Sequence, residues 1–252
     1  MLILLTNDDG IHAPGLWAMY QRLNAHHQVV VVAPERERSA VGHGITLHKP
    51  LRAYQVVLGD GRQGWSVNGT PADCVKLAMV ELLDQPPDLV VSGINPGANV
   101  GVNLNYSGTV AAAKEAALYG VPALAVSLQS ADDPPYDDAA RFVARLVSRV
   151  HGMGLPKGVF LNINLPNLAL ERIAGVRVAR QGCDLYDEYF EKRQDPRNRV
   201  YYWQGFESKP DHEGDTDGAL LGRDFITITP VRCDMTDYEL LATLEKWDFS
   251  RD

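Results

Sequence analysis

Residues 1–34 read MLILLTNDDGIHAPGLWAMYQRLNAHHQVVVVAP. The two continuous apolar runs, LILLT and QVVVVAP, have the composition of strands covered on both faces, as in a parallel sheet. Between them, GLWAMYQRLNAHH sets Leu16, Met19, Tyr20 and Leu23 on one helical face. The stretch is therefore a βαβ unit, and the same rhythm returns downstream. TPADCVKLAMVELL reads as a helix, DLVVSG as a strand, and SGTVAAAKEAALYG as an Ala-rich helix closed by Gly120. VPALAVSL, DDAARFVARLVSRVHGMG and GVFLNINLP then read as strand, helix and strand. Strands alternating with helices of this length predict a doubly wound α/β fold, a mostly parallel sheet sandwiched by helices.

Two segments depart from the rhythm. ITLHKPLRAYQVVLGDGRQGWSVNG, about residues 44–68, alternates around a GDG turn and reads as an inserted β-hairpin. After about residue 180 the alternation fades into an aromatic and charged stretch, YDEYFEKRQDPRNRVYYWQGF, before a late strand, FITITPV. The expected division is a core over residues 1–180 and a smaller C-terminal portion over residues 181–252. The tail TDYELLATLEKW opens on a capping box, Thr236 to Glu239, and carries Leu240, Leu241, Leu244 and Trp247 on one stripe. A helix with that stripe is expected to dock on its own domain or on a partner subunit, and the sequence leaves both open.

Composition narrows the function. A net charge of −8 with no basic run argues against a nucleic-acid polymer as ligand. A small anion stays compatible, because a bound cation can supply local positive charge. The three cysteines, Cys74, Cys183 and Cys233, are far apart and indicate neither a zinc knuckle nor a disulfide framework. MLILL is too short for a signal sequence or a membrane span, so a cytoplasmic protein with no membrane partner is the default expectation.

In a doubly wound sheet the ligand crevice lies beyond the carboxyl ends of the strands. Those ends carry Asn7-Asp8-Asp9, then Pro34 to Ser39, then Ser92 to Asn95 with Asn99 beyond. Taken alone, Asp8 and Asp9 before a helix are more economically a cap or an Asx turn. Their company changes the balance. Two carboxylates, a hydroxyl and amide oxygens are hard donors that suit Mg²⁺, Mn²⁺ or Ca²⁺ rather than zinc. Ser107, Gly108 and Thr109 open the Ala-rich helix, whose first-turn N–H groups form a ready anion site, although a plain Ser/Thr cap reads the same way. Both glycine-rich phosphate-loop templates are absent, as are G-x-S-x-G and paired metal-binding histidines. His43 reads as an ordinary partly buried histidine. A cation site beside an anion-binding helix start points to phosphate chemistry.

The ordered set TNDDG (6–10), APERERSA (33–40), NGTPADCV (68–75), PDLVVSGINPGANVG (87–101), YSGTVAAAKEA (106–116) and DTDGALLGRDFITITP (215–230) resembles the SurE (survival protein E) family of metal-dependent 5′/3′-nucleotidases. The resemblance implies a Rossmann-like fold and one divalent ion per subunit, Mg²⁺ or Mn²⁺, held by Asp8, Asp9, Ser39 and Asn95. It implies catalytic roles for Asp8 and Asp9, and substrate contacts from Asn99, Ser107, Gly108 and Thr109. The implied activity is hydrolysis of nucleoside 5′- and 3′-monophosphates, and of short polyphosphate. Exchanged C-terminal arms imply a homodimer or homotetramer. FITITPV and Ala116 depart from the family's usual residues without touching a proposed ligand. The rival expectation is a non-catalytic, metal-dependent nucleotide sensor on the same fold.

Overall fold

The computed structural model describes residues 1–57, 61, 63–129, 133–183, 187–207 and 214–249. Most of the expected GDG turn, and residues 211–213 of the acidic stretch DHEGDTDG before the late strand, lie outside the described residues. The opening βαβ unit is present as β1 (Leu2–Thr6), α1 (Pro14–Asn24) and β2 (Gln28–Pro34). β1 is buried along its whole length, as its uninterrupted apolar run requires. The hairpin follows as β3 (Ala53–Val57) and β4 (Gln63–Val67), antiparallel to each other. It is no separate lobe: β4 pairs in parallel with β2, so the insertion widens the main sheet.

The remaining elements are α2 (Pro71–Leu77), β5 (Leu89–Pro96), α3 (Gly108–Leu118), β6 (Ala123–Leu128), α4 (Tyr136–Met153), β7 (Val159–Leu165) and β8 (Gly175–Val178). β9 (Asp187–Gln194), β10 (Val200–Glu207), α5 (Asp217–Leu221), β11 (Phe225–Arg232) and α6 (Tyr238–Leu244) complete the described chain. Nine strands form one sheet in the order β3-β4-β2-β1-β5-β6-β7-β11-β8. β2, β1, β5, β6 and β7 run in parallel through its centre. β11, the expected late strand, is antiparallel to β7 and parallel to β8. Residues on both sides of position 180 therefore share one sheet.

Helices cover both faces. Leu16, Met19 and Leu23 of α1 pack with Val143, Val147 and Val150 of α4 against Ile3, Leu5, Val91 and Ile163. On the opposite face Cys74 and Val75 of α2 and Ala112, Ala113, Ala116 and Ala117 of α3 pack against Leu4, Val90, Ala125 and Phe160. Strand parity thus assigns each side chain to one of two cores. Thr6, Ser92, Ser127, Asn162 and Asn164 share parity with the α2/α3 core although they are polar.

Two local expectations change. The terminal helix is capped by Asp237, which accepts from the N–H groups of Glu239 and Leu240, and not by Thr236. A carboxylate one position nearer the helix satisfies two first-turn donors at once, which displaces the expected box. The stripe on α6 does not dock on its own domain: Leu240, Leu241 and Trp247 are exposed. β9 and β10 form an isolated two-stranded ribbon that exposes Tyr189, Phe190, Tyr202 and Trp203.

Candidate active site

The turn after β1 is built from its own side chains. Asn7 is fully buried; its Nδ2 donates to the Gly10 carbonyl (3.0 Å), and its Oδ1 accepts the Gly10 N–H (3.2 Å). Gly10 has φ 106°, and a Cβ there would lie 3.2 Å from the Arg36 backbone. Only glycine turns the chain this closely beneath the β2 loop. That loop is laid across the turn by two backbone bonds, Ile11 N–H to Pro34 O (2.8 Å) and Arg38 N–H to Asp8 O (2.7 Å). The second of these bonds holds Arg38, the residue before Ser39, against the Asp8 backbone. Ser39 is exposed, and its hydroxyl donates to Glu37.

Asp8 points at the start of α3. The Thr109 hydroxyl donates to Asp8 Oδ1, and a Cβ on Gly108 would lie 2.7 Å from Asp8 Cβ and 2.9 Å from Oδ2. The helix can approach this carboxylate only because Gly108 lacks a side chain. Ser107 caps α3, its Oγ accepting the Val110 N–H (3.1 Å), which leaves its O–H free to donate. Thr109 is fully buried and its hydroxyl is committed to Asp8. Asn95 stands where β5 slips register against β6, between Ser92 and Asn95. Its Nδ2 donates to the Gly97 carbonyl (2.6 Å), leaving Oδ1 as an acceptor. Asn99 lies in the following loop, anchored on β6 and β7.

The electrostatics are one-sided. Burial raises the Asp8 carboxyl above its ordinary range, and the Thr109 hydroxyl and backbone N–H act against that rise. Burial, then the charges of Asp8 and Glu37, push Asp9 up to about 7. Asp9 Oδ2 is buried without a hydrogen-bond partner among the described residues. Two carboxylates confined together, with Glu37 nearby, suit a positively charged guest. Among the described residues no three His, Cys, Asp or Glu side chains are grouped to hold a metal. A cation at Asp8 and Asp9 would need further oxygen donors, and the Ser39 hydroxyl and the Asn95 carboxamide are the candidates on the neighbouring strand ends. This all-oxygen donor set fits a hard dication.

Sequence reasoning placed Asn7 and Glu37 at the crevice without giving them a role, and missed Tyr136. Tyr136, at the start of α4, is held above its usual range by burial and by the Asp9 charge, so it borders the same carboxylate. His43 has a structural place: its Nε2 lies 2.8 Å from Glu115 Oε2, while Lys76 Nζ lies 2.8 Å from Oε1. Burial raises the Glu115 carboxyl, but these two partners outweigh that effect and hold it below its ordinary range. The trio ties the loop beyond Ser39 to α3.

The model of the family "Survival protein SurE" matches residues 3–188. The chain belongs to the SurE family. It is 59% identical over 248 residues to "5′-nucleotidase SurE" of Desulfatibacillum aliphaticivorans, covering 98% of each chain. It is 50% identical over 249 residues to the protein of the same name from Syntrophobacter fumaroxidans, covering 98% of this chain and 100% of that one. The fold superimposes on the crystal structure of the SurE protein from Aquifex aeolicus with a TM-score of 0.86, at 37% identity over 97% of this chain and 98% of that one. The doubly wound, mostly parallel sheet expected from sequence is thus the fold of the family. No helix among the described residues is long and apolar enough to cross a membrane.

Proposed function

We propose that this chain hydrolyses nucleoside 5′-monophosphates to nucleoside and phosphate at the carboxyl edge of β1, β2 and β5. Full-length relatives named 5′-nucleotidase support the reaction class. The observation that carries the location is the contact between the Asp8 carboxylate and the first turn of α3, made through Gly108 and Thr109. It joins an acidic pair and an anion-binding helix start into one site.

In this reading Asp8, Asp9, Ser39 and Asn95 hold one Mg²⁺ or Mn²⁺ ion per subunit. Such an ion, when bound, neutralises phosphate charge and acidifies water. Thr109 fixes the direction of Asp8. Asn99, the Ser107 hydroxyl and the N–H groups that begin α3 hold phosphoryl oxygens as charge redistributes over them. Asp8 or Asp9 takes the proton of the attacking water. The water oxygen bonds to phosphorus, the ester P–O bond breaks, and the nucleoside oxygen leaves with a proton. Beyond Tyr136 an open cleft of about 410 Å³ presents Trp17, Tyr136, Pro14, Pro134 and Pro135, flat faces suited to a stacked nucleobase. The exposed aromatic ribbon β9–β10 and the apolar stripe of α6 support assembly into a homodimer or homotetramer.

Phosphate release from AMP and GMP with Mg²⁺ or Mn²⁺, against an EDTA control, tests the reading. Metal-dependent release supports it. Tight nucleotide binding with no release would assign the site to a sensor instead.

A further inference from the structure

The loop that carries Asn99 lies on a buried polar ledge of the sheet. β7 contributes Asn162 and Asn164, two residues apart on the face turned toward α3, and both are fully buried. Asn164 Oδ1 accepts the Asn99 N–H (2.8 Å), and the Nδ2 groups of Asn162 and Asn164 donate to the Asn99 carbonyl (2.8 and 3.0 Å). Those bonds satisfy the backbone of a loop laid against a sheet, which any buried loop needs. The bond from Asn99 Nδ2 to Ser127 Oγ (2.8 Å) is of another kind. It satisfies no backbone group and fixes only the Asn99 carboxamide. Ser127 is itself fully buried on β6 and stands opposite Asn95 in the β5–β6 pairing. The bond therefore ties the Asn99 side chain to the rung that carries Asn95.

We propose that Ser127 is a positioning residue for phosphate hydrolysis. It holds the Asn99 carboxamide in one rotamer, so that Oδ1 and the second N–H face the substrate, while Asn162 and Asn164 clamp the backbone of the same residue. The inference rests on the reading of Asn99 as a substrate contact. It extends that site inward to a shell of polar side chains that touch no ligand. A side chain held in place before substrate arrives loses less conformational freedom in the transition state.

The test is a double-mutant cycle in the metal-loaded enzyme with AMP. Asn99→Ala should lower kcat/KM about a hundredfold, the scale of losing one oriented donor to a developing oxyanion. Ser127→Ala should lower kcat about three- to tenfold, the worth of one hydrogen bond, with KM nearly unchanged. In the Asn99→Ala background Ser127→Ala should have no further effect on kcat, because the group it orients is gone. Thermal midpoints of all four proteins supply the structural readout: a purely structural serine would shift the midpoint and not the coupling. A Ser127→Ala enzyme with full kcat beside a crippled Asn99→Ala enzyme would overturn the proposal. So would full additivity of the two losses. An Asn99→Ala enzyme with full activity would overturn the reading of Asn99 itself, and the proposal with it.

Discussion

Lowering the pH from 8 to 5 should weaken Mn²⁺ binding steeply, because the dication and a proton compete for Asp9. In the metal-free protein this carboxyl is pushed up to about 7, first by burial and then by Asp8 and Glu37. A bound dication requires the carboxylate, so affinity falls by the fraction of sites already protonated. With a pKa of about 7 the loss is about twofold at pH 7, tenfold at pH 6 and a hundredfold at pH 5. Binding should release about half a proton at pH 7 and about nine-tenths at pH 6. The Asp8 carboxyl is also raised, which makes the slope steeper at the acid end. Calorimetric titration in two buffers of different ionisation enthalpy measures both quantities. Affinity that stays flat from pH 8 to 5.5, or binding at pH 6 without proton release, would refute the crowding of these carboxylates as the source of the site's cation preference. The same group marks the stability of the metal-free protein. Folded Asp9 keeps its proton to about pH 7, whereas the unfolded residue releases it near 3.8. Its stabilising contribution is therefore fully present below about pH 4 and is lost as pH rises through 7, at most about 4 kcal/mol.

Asp9→Asn removes that buried charge, so the metal-free variant should melt higher at pH 8 by the equivalent of about 1–3 kcal/mol while losing metal affinity and turnover. Differential scanning calorimetry with and without Mn²⁺ separates the two effects. Gly108→Ala places a methyl 2.7 Å from Asp8 Cβ and should cut kcat/KM at least about tenfold by displacing the carboxylate. Circular dichroism should show an intact fold. Thr109→Val keeps the shape of a fully buried side chain but deletes its donor to Asp8; kcat should fall and stability should drop about 1–2 kcal/mol, measured in urea. Trp17→Ala should raise KM for AMP several-fold and leave hydrolysis of a small phosphomonoester without a base unchanged, since a stacked base is worth about 1–3 kcal/mol.

Much of the fold is legible because its central strands are apolar on both faces. β1 and β6 are buried at every position, and uninterrupted runs such as LILLT and ALAVSL have no other simple explanation. β8 escapes notice because GVRV is short, interrupted by Arg177 and mostly exposed. Nothing local marks it as a sheet edge; it becomes a strand because β11 arrives to pair with it. The position of β11 is equally invisible, since antiparallel insertion between β7 and β8 depends on contacts fifty or more residues apart in sequence. The stripe on α6 is legible and its partner is not, because an amphipathic face records that something covers it and not what does.

The candidate site divides along the same line. Asp8, Asp9, Gly108 and Thr109 can be read from sequence because fold class alone sends the ends of β1 and the start of α3 to one edge. The roles within that group need coordinates: Thr109 turns inward to Asp8, while Ser107 keeps an O–H to offer. Asn162, Asn164 and Ser127 left a signal that went unused. Polar residues at alternate positions of a strand buried on both faces are costly unless something pairs with them. In VFLNINL the two asparagines share parity with Phe160, whose side chain lies in the core under α3. A buried amide in that company calls for a polar partner beyond the strand ladder. The partner in the described structure is the loop carrying Asn99, a candidate substrate ligand, whose backbone N–H and carbonyl pair with these two asparagines.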